Sequence, residues 1–180
     1  MPSHRARIAL GAFVVFVPNA PLPNFSGVWT EAADPSANTA GVAATGDASF
    51  RQGTPGSGWS SPLTIQQTAD HLTVEYQVFS AYDLQPPIHW TFALDGSSTT
   101  NGLMLGNSES HLRSRASWAG DTLIITTQFA GPTDSRGQSV PVDVRQALHM
   151  EGANTLVIET KRPGILGAQA LLTRTIYHRK

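Results

Sequence analysis

Ala69-Asp70-His71-Leu72-Thr73-Val74-Glu75-Tyr76-Gln77-Val78 is the stretch that decides the fold. Asp70 supplies turn chemistry. After it Leu72, Val74, Tyr76 and Val78 alternate with Thr73, Glu75 and Gln77, a period of two that gives a strand one apolar and one polar face. The turn-then-strand unit recurs in Ala119-Gly120-Asp121-Thr122-Leu123-Ile124 and in Glu151-Gly152-Ala153-Asn154-Thr155-Leu156-Val157, with Gly, Asp or Asn where a tight hairpin requires them. Working outward, runs rich in Thr, Val, Ile, Leu and aromatics cover Phe25 to Glu31, Pro62 to Thr68, His71 to Phe79, Ile88 to Leu94 and Ser97 to Leu105. They continue over Ser110 to Trp118, Thr122 to Phe129, Val142 to Met150, Thr155 to Arg162 and Ala170 to His178. No 3.6-residue apolar stripe competes with them.

The connections alternate in length. Those near 69–71, 95–96, 119–121 and 151–154 are short, whereas 80–87, 106–109, 130–141 and 163–169 are longer and rich in Gly, Pro and Ser. In an antiparallel meander successive connections lie at opposite ends, so the expectation is one tight end and one end carrying the long loops, joined there by the Ala/Gly/Ser/Thr/Pro-rich stretch 32–61. Closure would remove the exposed edges of such a sheet. The expected fold is therefore all-β, an antiparallel up-and-down meander barrel of about eight to ten strands. Residues 24–180 would form this single domain, with 32–61 as a flexible loop.

Composition agrees and excludes. The chain has 180 residues, 12 Lys+Arg against 13 Asp+Glu, a net charge of −1, 16 Gly, 12 Pro and no Cys. Near-neutrality provides no field to collect nucleic acid or an anionic membrane. Without cysteine there are no disulfides, thiol nucleophiles or Cys-ligated metals. Residues 1–23 read as a signal peptide: His4, Arg5 and Arg7 precede an apolar run from Ile8 to Val17, too short to span a membrane, and Pro18-Asn19-Ala20-Pro21 breaks any helix. Export to the periplasm or the medium follows, with no membrane span once the leader is removed.

Alternation also assigns faces. Leu72, Val74, Tyr76 and Val78 point inward, and by the same rule so do Trp90, Phe92 and Leu94; Leu112, Ala116 and Trp118; and Leu123, Ile125 and Phe129. Val142, Val144, Leu148 and Met150, Leu156 and Ile158, and Leu172 and Ile176 complete the set. Tyr76, Val78, Trp90, Phe92, Leu112, Phe129, Val142 and Val144 lie nearest the long-loop end. They would line a ligand site if the barrel is not filled. His111, Arg113 and Arg115 alternate opposite Leu112 and read as an outward basic ridge; were the interior polar there, Arg113 would instead pair with a ligand carboxylate.

Phe25-Ser26-Gly27-Val28-Trp29 at the first strand and Thr173-Arg174-Thr175-Ile176-Tyr177-His178-Arg179-Lys180 at the last resemble the calycin barrels, lipocalins and fatty-acid-binding proteins. More closely, the chain resembles a group of exported bacterial lipocalin-like proteins of unassigned function. The stretches that carry this are Asn24 to Thr30, Pro62-Leu63-Thr64-Ile65, Asp95-Gly96-Ser97, Ser117 to Leu123 and Tyr177 to Lys180. The resemblance implies that Gly27 and Trp29 close the tight end and that a basic residue of the last strand, Arg174 or Arg179, packs across the indole. It implies small-molecule binding for the superfamily alone, since one fold hosts many functions.

Other chemistries find weak support. Glu109 and His111 flank one long loop and Asp83 and His89 another, a carboxylate and imidazole set for which solvated loop residues are the ordinary explanation. There is no His-Glu-x-x-His, no Gly-x-Ser-x-Gly elbow and no phosphate-binding glycine loop. Asp70, Asp95, Asp121 and Glu151 sit in tight turns and are not a glycosidase pair. No catalytic, metal or cofactor site is expected. The leading function is an exported binder of a small apolar or amphipathic molecule; the alternatives are a packed-barrel interaction module using its loops, and a small enzyme with its site at the barrel mouth.

Overall fold

The computed structural model describes residues 21–32, 40–41, 58–59, 61–77, 86–105, 108–164 and 169–180. Leader residues 1–20, Val78, Asp83 and most of 32–61 lie outside the described residues. Eleven strands follow one another: β1 Gly27–Glu31, β2 Ala40–Gly41, β3 Leu63–Gln67, β4 His71–Tyr76, β5 Ile88–Ala93, β6 Ser98–Leu105, β7 Ser108–Ala119, β8 Thr122–Thr133, β9 Ser139–Met150, β10 Thr155–Arg162 and β11 Leu171–Arg179. Ten of them form one antiparallel sheet in the order β5-β4-β3-β1-β11-β10-β9-β8-β7-β6, and the short β2 pairs with β11 beside that path. This is the expected all-β up-and-down barrel, nearly closed.

The ring closes where first and last strands meet, β1 on β11 with Trp29 opposite Arg179. The remaining gap lies between β5 and β6, neighbours in the chain but the two ends of the sheet order. One side chain sews it. Asn101 Oδ1 accepts the Thr91 N–H at 2.8 Å and Asn101 Nδ2 donates to the Thr91 carbonyl at 3.1 Å, so the amide stands in for a strand peptide. Beside it the Trp90 indole N–H donates to the Gly102 carbonyl at 3.1 Å.

The tight end is packed with rings. Trp29 is buried, its Nε1–H donates to the Phe25 carbonyl at 2.8 Å, and Phe25 stacks on Trp118 at 5.7 Å. Gly27 has a φ of 149°, in the range that a side chain disfavours, and this turns the chain so that Trp29 enters the core. The guanidinium of Arg179 lies 4.7 Å from the Trp29 ring centroid. Arg174 does not take that place: it pairs with Glu151 at 2.7 Å on the outside.

That correction and a second have one cause. Leu172, expected inward, is 54% exposed, while Thr173, Thr175 and Tyr177 are buried. Leu172, Arg174 and Ile176 share one face of β11, so a one-residue change of parity moves them all. The face chosen buries the large Tyr177 ring and sets Arg179 on Trp29; the other would bury the Arg174 charge and the His178 imidazole.

The long-loop end also differs from expectation. β8 and β9 extend to Thr133 and Ser139 through Gly131-Pro132, and only two residues separate β6 from β7. Gly131 and Pro132 read as loop breakers, yet a register shift between Ala130 and Thr133 admits one extra residue and keeps the pairing. A Cβ on Gly131 would collide with the Val140 carbonyl and the Val142 side chain, so the strands approach there because the residue is glycine. Asp134 closes this long hairpin, accepting from the Arg136 and Gln138 N–H groups at 2.8 and 2.9 Å.

Candidate functional site

Three layers stack inside the barrel. The tight end is a dry core containing Trp29, Ile65, Leu72, Phe92, Leu123, Ile125, Leu148 and Ile158. Beside and above it lie buried polar residues on five adjacent strands: Ser114, Thr127, Gln146, Thr160, then Thr173 and Thr175. Ser114 Oγ and Thr127 Oγ1 share a hydrogen bond of 2.9 Å, and Thr173 Oγ1 donates to the Thr160 carbonyl at 3.5 Å. Thr175 Oγ1 is buried with no hydrogen-bond partner among the described residues.

Towards the open end the described residues leave a space. A cavity of about 430 Å³ is bounded by Trp59, Tyr76, Trp90, Leu103, Phe129, Val142 and Val144, with Thr127 and Gln146 as its polar lining and Arg162 and Pro163 at its lip. That volume falls within the range of small-molecule sites. Trp90 is the hub of an aromatic wall: Tyr76 meets it edge-on at 6.1 Å, Phe92 at 6.3 Å and Phe129, tilted, at 6.4 Å. Because its N–H holds Gly102, the same ring ties the wall to the β5/β6 gap.

Trp59 belongs to the long 32–61 connection and yet is 4% exposed. It lies 6.3 Å from Phe92, and its carbonyl accepts the buried Tyr177 hydroxyl at 2.8 Å. Gly58 and Trp59 of this connection therefore reach the barrel and border the cavity. Arg162 Nη2 stands against Gly58, where an added Cβ would come within 3.0 Å of it. Burial lowers the Arg162 pKa and raises that of the Tyr76 phenol above its usual value, since each charged form loses hydration. Among the described residues no three His, Asp or Glu side chains converge as a metal site would need.

Five of the nine residues expected to contact a ligand border this cavity: Tyr76, Trp90, Phe129, Val142 and Val144. Phe92 and Leu112 are buried in the core beside it. Arg113 is exposed on the outer face, where it borders a surface pocket with Arg115, Gln128 and Asp143. The strict alternation after Leu112 places it there. Trp59, Leu103, Thr127, Gln146 and Arg162 were not among the expected residues. Thr127 has the parity of Ile125 and Phe129, and Gln146 that of Val144 and Leu148, so counting by two from the apolar positions finds both. Trp59 has no such signal, because its surroundings in the sequence are not periodic. Comparison with protein-family models, curated proteins and solved structures gives no match.

Proposed function

We propose that this protein is an exported, lipocalin-like barrel that binds a small apolar or amphipathic molecule in its interior, without catalysis. The observation that carries the reading is the cavity of about 430 Å³, walled by aromatic and aliphatic side chains and bearing few polar groups. Most of its walls come from neighbouring paired strands, which supports a cavity formed ahead of binding with little ordering cost. The basic and apolar sequence of residues 1–23 supports export, and the stretches Asn24 to Thr30 and Tyr177 to Lys180 support the lipocalin-like assignment.

The test is binding of the neutral dye Nile red, followed by fluorescence, with Val144→Trp as the variant that fills the cavity. The wild-type protein is expected to bind the dye and release it to apolar competitors, and Val144→Trp, checked for an intact β spectrum by circular dichroism, is expected to bind none. A folded wild-type protein that takes up no dye, or equal binding by the filled variant, overturns the reading.

A further inference from the structure

The Tyr76 side chain brings a phenol to the cavity. It is 4% exposed, borders the cavity, and packs its ring edge-on against Trp90. No hydrogen bond among the described residues engages its hydroxyl, whereas that of Tyr177, also buried, is bound to the Trp59 carbonyl at 2.8 Å. Its Oη is not fully enclosed by the described protein atoms, and a ligand acceptor placed against it would add a hydrogen bond worth about 0.5–1.5 kcal/mol net. Thr127 adds a second hydroxyl to the cavity surface; its bond with Ser114 occupies one of its positions and leaves another open.

The charges point the same way. Among the described residues Arg162 is the one cation that borders the cavity, standing against Gly58, and no carboxylate borders it. A charged end group beside Tyr76 would lose its hydration, and burial is the cause that shifts this phenol, with no neighbouring charge contributing. A neutral acceptor carries no charge to desolvate. Burial holds the phenol protonated into strongly alkaline solution, so it stays a donor at ordinary pH.

We propose that the cavity selects an apolar molecule bearing an uncharged hydrogen-bond acceptor, a ketone, ester or amide carbonyl, with Tyr76 Oη as the donor that reads it. This rests on the binding function proposed above and names the class of ligand. Tyr76→Phe keeps the ring and its contact with Trp90, and removes the donor alone.

Displacement of Nile red is measured with a medium-chain methyl ketone, the alkane of equal length and the carboxylate of equal length, on the wild-type protein and on Tyr76→Phe. The ketone is expected to lose affinity about five- to tenfold in the variant, the alkane to lose none, and the ketone to outcompete the carboxylate on the wild type. Equal effects of the substitution on ketone and alkane, or tighter binding of the carboxylate, overturn the selectivity while dye binding leaves the binding function standing. Absence of dye binding to the wild-type protein removes both.

Discussion

Asn101 performs with a single amide what the rest of the barrel does with ladders. Its two hydrogen bonds to the Thr91 backbone bridge β5 and β6, and at 5% exposure its side chain is shielded from water. Alanine at this position would leave the Thr91 N–H and C=O facing the gap. Asn101→Ala is therefore expected to cost about 1–3 kcal/mol in urea unfolding, and Asn101→Asp more at neutral pH, because a carboxylate accepts from the Thr91 N–H but repels its carbonyl. Equal stability of the wild-type protein and both variants would show that the gap needs no suture. Nothing in the sequence marks this asparagine, since its partner backbone is chosen by which strands become the two ends of the sheet. Trp29 is the opposite case: Phe25-Ser26-Gly27-Val28-Trp29 stands out as a local pattern, and the indole lies where that pattern places it, at the tight end under a cation of the last strand.

At the scale of elements, β11 shows how far alternation can be read. The apolar residues of Leu171 to Arg179 divide evenly between its two faces, so the sequence leaves the choice open, and one parity accounts for Leu172, Arg174 and Arg179 together. The outward Arg174 ties this strand to the turn after β9 through Glu151, whose carboxyl it holds below the ordinary value of 4.5, with His149 assisting. A depressed folded pKa contributes stability above the unfolded value and loses it as pH falls through the folded one. Both groups are partly solvated, Arg174 31% and Glu151 49% exposed, so the effect is small. Arg174→Ala is expected to lower Tm by about 1–2 °C at neutral pH, and the deficit is expected to vanish as the pH falls through the lowered pKa of Glu151. A deficit that persists in acid would assign the loss to packing of the Arg174 stem and not to the pair. Elsewhere the elements were legible: the short turns at 69–71, 95–96, 119–121 and 151–154 fall between β3 and β4, β5 and β6, β7 and β8, and β9 and β10. Gly131-Pro132 was not, because a bulge lets β8 pass through residues that read as an end.

For the whole molecule the gap between β5 and β6 is the natural weak line. Each of these strands has a ladder partner on one side only, whereas β8, β9 and β10 are paired on both. Amide hydrogen exchange should therefore be faster in β5 and β6 than in β8 to β10 by about an order of magnitude or more, and Asn101→Ala should widen the difference. Uniform protection around the ring would contradict this. Since Trp90 reaches from the cavity to the gap, a bound molecule is expected to slow exchange there.

The sequence by itself determined the strands, their antiparallel meander and the division into a tight end and an open one, because period-two alternation and turn chemistry are local properties that neighbouring residues express without knowledge of the ring. It also marked five of the residues that border the cavity. Only the tertiary structure decided the facing of β11, the position of the gap, the entry of Trp59 into the barrel and the cavity that the described residues enclose. These depend on how ten strands tilt and stagger to close, and on whether the side chains from all of them together fill the space enclosed.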